Sequence, residues 1–234
     1  MDVSKKLRLI NMLPRSWADK IIKNSVDKYC DKYANVKIEG YENIKNLQAP
    51  VIFISNHLSN ADGVFLNRIL KEHHPIFVAG EKLSKNEFTS SVLRVVDCIL
   101  IKPNSADKEA IEAVIKALKS GKNIMIFPEG TRSRTGKMIE AKKGLILIAK
   151  LSKAKIVPIG ITGTEKFLPI NDVDMGQERI HNADITINIG KPMDLPKKEK
   201  EEGKNEYHDR AVNEIMTEIA KLLPKEYRGV YDFE

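Results

Sequence analysis

The alternation of short apolar runs with helical stretches constrains the fold of this chain more than any other feature. Five continuous apolar runs are bounded by turn-forming residues, at 51–55, 76–79, 98–101, 124–127 and 156–161. Continuous runs of this length are typical of strands that are covered on both faces. A sixth run, residues 185–190, alternates apolar and polar positions and predicts a half-exposed strand near an edge of the sheet.

Stretches with helical spacing lie between these runs. Residues 105–123 carry apolar side chains at helical spacing, with Ser105 as the predicted N-cap. The other predicted helices cover residues 61–74, 144–153 and 207–223. Strands that alternate with helices predict an α/β domain with a largely parallel sheet.

Residues 1–34 form a separate predicted segment, an amphipathic helix that precedes a domain of residues 35–234. Ser16 and Asp19 have the spacing of a capping box. Residues 1–24 contain six basic residues against two acidic ones. Two interpretations stay open, because such a helix can lie in a membrane interface or pack on the domain. One predicted helical face holds its large apolar residues, which are Trp17, Ile21, Ile22, Val26, Tyr29 and Tyr33.

The charge balance favours an anionic partner. The net charge is +7 and the isoelectric point is about 9.2, which suits nucleic acid, an anionic membrane surface or a phosphorylated substrate. Aromatic residues make up only 6% of the chain and no nucleic-acid recognition motif is visible, so we expect no nucleic-acid partner.

Cysteine usage and hydropathy indicate the compartment. Cys30 and Cys98 have neither the spacing of a disulfide framework nor that of a zinc site, which suits a reducing environment, and we predict no metal site. The chain begins without the apolar segment of a signal peptide, and no run reaches the roughly 18–20 apolar residues that span a bilayer. We therefore expect no transmembrane helix.

His57 and Asp62 are the first candidates for chemistry. His57 follows the apolar run 51–55 and is spaced from Asp62 as H-x-x-x-x-D. Each residue alone has a structural explanation, since histidines occur in cores and acidic residues favour the first turn of a helix. Together, at the carboxyl end of a parallel strand, they predict an imidazole oriented by a carboxylate and able to act as a general base.

A second candidate block, Ile-Phe-Pro-Glu-Gly-Thr-Arg-Ser, begins at Ile126 in the last part of the run 124–127. Glu129, Gly130, Thr131 and Arg132 lie in one predicted turn. Glycine lets a backbone approach a ligand closely, and arginine can hold two phosphate oxygens at once. The block therefore predicts an anion-binding turn.

Taken together and in this order, the two blocks resemble the glycerolipid acyltransferase family, whose type members are 1-acyl-sn-glycerol-3-phosphate acyltransferases. Asn-His-Leu-Ser-Asn-Ala-Asp is similar to the N-H-x-x-x-x-D block of that family, and Phe-Pro-Glu-Gly-Thr-Arg-Ser is similar to its substrate-binding block. Residues 142–164 resemble the fourth block, with Pro158 at its proline. The resemblance implies a mixed, largely parallel sheet flanked by helices, of the glycerol-phosphate acyltransferase type.

One block departs from the family pattern. Between the two motifs the family usually carries G-x-x-x-[VI]-x-R, whose arginine contacts the acceptor phosphate. Here Asp97 stands at the glycine and Pro103 at the arginine, with Lys102 one residue early. The departure concerns the acceptor head group and not the acyl transfer.

The resemblance implies an acyltransferase of phospholipid biosynthesis that makes phosphatidic acid. His57 and Asp62 would be catalytic, and the substrate-binding residues would be Glu129, Gly130, Thr131, Arg132, Lys102 and Pro158. The acyl donor would be acyl-CoA or acyl-acyl carrier protein, the acceptor a lysophospholipid, and no cofactor is expected. We expect a cytoplasmic protein, peripheral on the inner face of the membrane.

Two other functions stay open from the sequence. The acceptor can be another lysolipid, a polyol or a glycolipid. Alternatively, the chain can be a non-catalytic module that binds membranes or lipids, although the intact His57 and Asp62 pair argues against this function.

Overall fold

A computed structural model describes residue 10 and residues 12–85, 89–90, 93, 96–102, 107–171 and 178–233 of the chain. The strands in chain order are β1 (Ala34–Glu39), β2 (Val51–Ser55), β3 (Ile76–Gly80), β4 (Cys98–Ile101), β5 (Ile124–Ile126), β6 (Lys155–Thr162) and β7 (Ala183–Ile189). The helices are α1 (Arg15–Tyr33), α2 (Ala61–Ile69), α3 (Lys108–Lys119), α4 (Gly144–Ser152), α5 (Thr164–Phe167) and α6 (Lys204–Lys221).

The seven described strands form one sheet in the order β1-β7-β6-β2-β5-β3-β4. Strands β2 to β6 are mutually parallel, whereas β7 runs antiparallel to β6 and pairs in parallel with β1. The predicted mixed, largely parallel sheet is therefore confirmed. Strand β7 has alternating burial and lies next to the edge strand, as its sequence pattern predicts. Strand β1 was not predicted, because its mostly exposed residues give no continuous apolar run.

Helices cover both faces of the sheet, and successive residues of the central strand β2 serve the two sides. Ile52 and Ile54 pack in a cluster with residues of α3, α4 and α6. Val51 and Phe53 belong to the opposite cluster, which contains residues of α1, α2 and α5. Because each such side chain contributes about 1.5–3 kcal/mol when it is fully buried, β2 is fixed in position from both sides.

Two predicted helix caps are wrong. The N-cap of α1 is Pro14, so Ser16 already lies inside the helix and forms no capping box. The carbonyl oxygen of Pro14 accepts hydrogen bonds from the N–H groups of Trp17 and Ala18 instead. The N-cap of α3 is Asp107, whose side chain accepts from the N–H of Ala110, whereas Ser105 lies outside the described residues.

Helix α1 docks on the domain through one side. Ala18, Ile22 and Cys30 are buried, and Arg68 of α2 forms ion pairs with Asp27 and Asp31 of α1. The predicted apolar face is therefore divided. Val26 and Tyr33 also pack against the core, whereas Trp17 is 67% exposed and Ile21 and Tyr29 are exposed as well.

Helix α1 continues into β1 without a linker, because α1 ends at Tyr33 and β1 begins at Ala34. Since β1 runs antiparallel to β6 and β2, its first residue lies on the side of the sheet toward which β2 points, and the register puts Glu39, its last residue, level with Asn56. Within the described part of the chain, no helix is long and apolar enough to cross a bilayer.

Candidate active site

The carboxyl end of β2 delivers the histidine of the first block. Asn56 is fully buried and holds the backbone of Ile161 with both ends of its amide, donating to the carbonyl oxygen and accepting from the N–H, each at 2.9 Å. This pair of bonds ties the end of β2 to β6 just where the chain leaves the sheet. His57 follows at once, partly buried, with 18% of its side chain exposed.

His57 and Asp62 are in direct contact. The Nδ1 atom of His57 lies 2.7 Å from Oδ2 of Asp62, which is completely buried in the first turn of α2. The same Oδ2 accepts from the N–H groups of Leu58 at 2.7 Å and Ser59 at 2.9 Å. A carboxylate at Nδ1 favours the tautomer with its proton there, which leaves Nε2 available as a base.

The second block contacts the first directly. The ring of Phe127 stacks on the imidazole of His57, with centroids 4.0 Å apart. Oε1 of Glu129 accepts from the N–H of His57 at 2.9 Å, and the N–H of Ser133 donates to the carbonyl oxygen of His57 at 2.7 Å. These three residues fix the ring and the backbone of the histidine.

Glu129 is a scaffold residue in this structure. It is buried, and its second oxygen, Oε2, accepts from the N–H of Ile139 at 3.1 Å. Burial raises the pKa of this carboxyl to about 8, against the lowering effect of its two backbone hydrogen bonds. Both oxygens are thus directed to backbone N–H groups, which does not support the predicted contact with substrate.

Arg132 is held by a carboxylate from a distant part of the chain. Its Nη1 atom donates to Oε1 of Glu178 at 2.8 Å, and only 14% of the arginine side chain is exposed. Oε2 of Glu178 accepts from the amide nitrogen of Asn60 at 3.0 Å, and the N–H of Asn171 donates to Oε1 at 3.4 Å. The guanidinium is consequently placed beside the N-cap of the helix that carries Asp62.

The remaining predicted substrate residues lie in different places. Gly130 has φ +71°, which glycine adopts without strain, and Thr131 is exposed beside it. Pro158 is buried within β6, level with Ile54, so its geometry supports packing and not contact with substrate. Pro103 lies outside the described residues.

Lys102 follows the edge strand β4, and the sheet register puts it level with His57. Three strand spacings, roughly 14 Å, separate β4 from β2. Its backbone N–H donates to Asp107 at 2.9 Å. The structure therefore does not bring Lys102 next to the histidine.

A cleft of about 610 Å³ adjoins the histidine turn. Leu58 and Ser133 form the wall next to His57, and the cations Arg134, Lys137 and Lys166 line other parts of it. Its other lining residues are Thr135, Gly136, Glu165, Pro169, Ile170, Glu226 and Tyr227. Clefts of this size hold ligands as large as a cofactor. Among the described residues, no group of His, Cys, Asp and Glu side chains is arranged to hold a metal ion.

Sequence reasoning missed several residues that build this site. Asn56 and Phe127 belong to the two sequence blocks. Asn56 directly precedes His57 and Phe127 lies two residues before Glu129, and these positions indicate that both belong to the site. Glu178 lies in a polar stretch far along the chain, where no local pattern indicates that its side chain is buried at the site.

Known proteins provide an independent comparison. The sequence model of the acyltransferase family matches residues 35–162. A chloroplast protein of Arabidopsis thaliana, the 1-acyl-sn-glycerol-3-phosphate acyltransferase LPAT1, is 30% identical over 163 residues, which cover 69% of this chain and 44% of that protein. The 1-acyl-sn-glycerol-3-phosphate acyltransferase of Bacillus subtilis is 24% identical over 193 residues, covering 80% of this chain and 91% of that protein. The chain thus spans less than half the length of the plant relative.

A solved structure has the same fold. The crystal structure of the 1-acyl-sn-glycerophosphate acyltransferase PlsC from Thermotoga maritima aligns with a TM-score of 0.64 and 24% sequence identity. The alignment covers 89% of this chain and 80% of that chain.

Proposed function

The chain belongs to the acyltransferase family, and from this we propose that it transfers a fatty acyl group from an acyl thioester to the free hydroxyl of 1-acyl-sn-glycerol-3-phosphate. The product would be phosphatidic acid. The observation that carries the proposal is the contact of 2.7 Å between His57 and the buried Asp62 at the carboxyl end of β2. The names of the similar proteins from Arabidopsis and Bacillus, both 1-acyl-sn-glycerol-3-phosphate acyltransferases, support the choice of acceptor.

In the proposed reaction, Nε2 of His57 takes the proton of the acceptor hydroxyl while the oxygen attacks the thioester carbonyl carbon. The tetrahedral intermediate collapses with cleavage of the C–S bond, and the leaving thiolate receives the proton from the imidazolium. Asp62 accepts the hydrogen bond from Nδ1 and stabilises the imidazolium. A positioned base contributes about 10²–10⁴-fold, so alignment of the two substrates must supply much of the remaining acceleration.

The donor would be acyl-CoA or acyl-acyl carrier protein, since both end in a phosphorylated pantetheine thioester. The cleft beside the histidine turn is our candidate for this arm, because Arg134, Lys137 and Lys166 line it and Leu58 leads to His57. No cofactor enters the proposed reaction.

The proposed location is the cytoplasmic face of a membrane, where the protein would be peripheral. Trp17 and Ile21 are exposed one turn apart on α1, and Met12 and Leu13 are exposed just before that helix. Lys20 and Lys23 on the same helix are exposed cations that an anionic surface would attract.

The test uses the full chain with lysophosphatidic acid and each donor in turn, and mass spectrometry identifies the lipid formed. We expect phosphatidic acid from at least one donor and none from His57→Ala. A panel of other lysolipids, a polyol and a glycolipid is run in parallel. If an acceptor of this panel gains an acyl group and lysophosphatidic acid does not, the proposed acceptor is wrong. If none does, the chain is a non-catalytic module.

A further inference from the structure

Glu178 is a carboxylate placed inside the site by a segment outside both sequence blocks. Its side chain has no exposed surface. It accepts hydrogen bonds from the guanidinium of Arg132, the amide of Asn60 and the backbone N–H of Asn171. A buried carboxylate is costly unless charged and polar partners surround it, and these three groups meet that need.

The contact determines where the guanidinium of Arg132 points. An arginine has five N–H donors in a rigid planar fork, and the contact with Glu178 uses one terminal nitrogen. Fixing Nη1 leaves the other edge of the fork, Nε and Nη2, at a set position for two anionic oxygens. A long side chain that is already fixed loses less conformational entropy when a ligand arrives.

Asn60 holds the carboxylate in place from the side of α2. It is the N-cap residue of that helix, and its amide donates to Glu178. Glu178 is therefore fixed by a residue of the helix as well as by the arginine that it orients.

We propose that Glu178 is a positioning residue that orients Arg132 toward the acidic head group of the acceptor. This inference rests on the proposed function, because the anion in question is the phosphate of the lysophospholipid. Glu178 itself does not touch substrate. It acts through Arg132 and so sets the affinity for the acceptor while leaving the donor and the chemical step unaffected.

The experiment is a double-mutant cycle on the full chain. The variants are Arg132→Ala, Glu178→Ala, Glu178→Gln and Arg132→Ala with Glu178→Ala. Glu140→Ala is the matched control, since Glu140 is an exposed carboxylate in the loop that follows β5. For each variant, kcat and the KM values of lysophosphatidic acid and of the donor are measured, and thermal unfolding reports whether the protein is folded.

Glu178→Ala should raise the KM for lysophosphatidic acid up to about tenfold, because the arginine is no longer fixed and loses conformational entropy when the phosphate binds. The donor KM and kcat should stay within about twofold, and Glu140→Ala should match wild type in all three values. Glu178→Gln should give a smaller rise, because its amide oxygen still accepts from Nη1 and its size is unchanged. The double variant should have the acceptor KM of Arg132→Ala, since Glu178 has no effect without the arginine.

Three results would overturn the proposal. A lower acceptor KM for Glu178→Gln would mean that the carboxylate competes with the phosphate for Arg132. If the fold increases in acceptor KM of the two single variants multiply in the double variant, Glu178 acts independently of Arg132. Equal changes in donor KM, acceptor KM and kcat would mean a general structural role. The activity of wild type with lysophosphatidic acid is measured before any variant is made. If wild type does not acylate it, the proposed function is wrong as well as this inference.

Discussion

At the scale of single residues, one oxygen of Asp62 performs two tasks. Its Oδ2 accepts from the imidazole of His57 and from the N–H groups of Leu58 and Ser59. Its other oxygen is buried and accepts no hydrogen bond from the residues that the structure describes. The same carboxylate therefore orients the ring and closes the turn that leads into α2.

These two tasks can be separated by substitution. His57→Ala should abolish acyl transfer and leave the fold intact. Asp62→Asn can still accept from the turn through its amide oxygen but no longer offers a charge to the imidazole, so kcat should fall about 10²–10⁴-fold. Asp62→Ala should also lose about 2–3 kcal/mol of unfolding free energy, because two buried N–H groups lose their partner.

Turnover and urea unfolding, measured side by side, check this prediction. A folded His57→Ala protein with nearly normal kcat would show that His57 is not the base. Equal stability of Asp62→Ala and wild type would show that the turn does not depend on the carboxylate.

Glu129 should make stability depend on pH. Its pKa is raised by burial to about 8 in the folded protein, from an ordinary value of 4.5. Because the fold favours the protonated form, the contribution of this group to stability is complete below about pH 4.5 and is lost as the pH rises through about 8. The loss is roughly 3–5 kcal/mol by linkage.

The measurement is the unfolding free energy of wild type and Glu129→Gln from pH 5 to pH 9. The difference between the two proteins should change across this range in favour of the variant at high pH, since glutamine does not ionise. A constant difference would mean that the Glu129 carboxyl ionises normally in the folded protein.

Some contacts of the candidate site could be predicted from the sequence, and others could not. The contact between His57 and Asp62 was predictable, because a five-residue spacing at a strand end brings both to the same turn. The scaffold role of Glu129 was not, because the choice between a ligand and a backbone N–H depends on where Ile139 returns in space. Glu178 could not be predicted either, since its partner Arg132 is 46 residues away.

At the scale of elements, helix α1 presents two different apolar sides. One side, with Ala18 and Ile22, is buried against the domain, and the other, with Trp17, is exposed. The sequence places Trp17 and Ile22 on one broad stripe, and only packing against the domain divides it. Lys5, Lys6 and Arg8, which add to the predicted basic character, lie outside the described residues.

The two sides of α1 should respond differently to substitution. Trp17→Ala with Ile21→Ala should weaken binding to anionic vesicles and change stability by no more than about 0.5 kcal/mol. Ile22→Ala, the matched control, should cost about 2–5 kcal/mol of stability and leave the vesicle affinity of the folded protein unchanged. Vesicle sedimentation and thermal unfolding report the two quantities. If the exposed pair has no effect on sedimentation, another surface binds lipid.

At the scale of the whole molecule, the sequence predicts the layered α/β class but not the order of the strands. Runs of similar length and composition, such as β3 and β5, do not indicate which of them neighbours β2. The placement of β5 beside β2 brings Phe127 and Glu129 to His57. The edge position of β4 likewise moves Lys102 away from the histidine.

Part of the basic charge of the chain should act on the donor. Lys137 and Lys166 line the cleft proposed for the phosphorylated arm. Replacing both by alanine should raise the donor KM severalfold at low salt, and added salt should reduce the difference from wild type. An acyl-pantetheine without phosphate should show no such effect. Equal losses with the phosphorylated and unphosphorylated donors would argue against a phosphate contact in the cleft.

The direct passage from α1 into β1 has a consequence for how the acceptor is found. Ala34 begins β1 on the side of the sheet where His57 lies, and Ile38 is level with the histidine. Because no flexible linker separates α1 from β1, a lipid-bound α1 would hold this side of the sheet at a fixed angle to the bilayer plane. A lysolipid could then reach the histidine by lateral diffusion within one leaflet, and the search for substrate would take place in two dimensions.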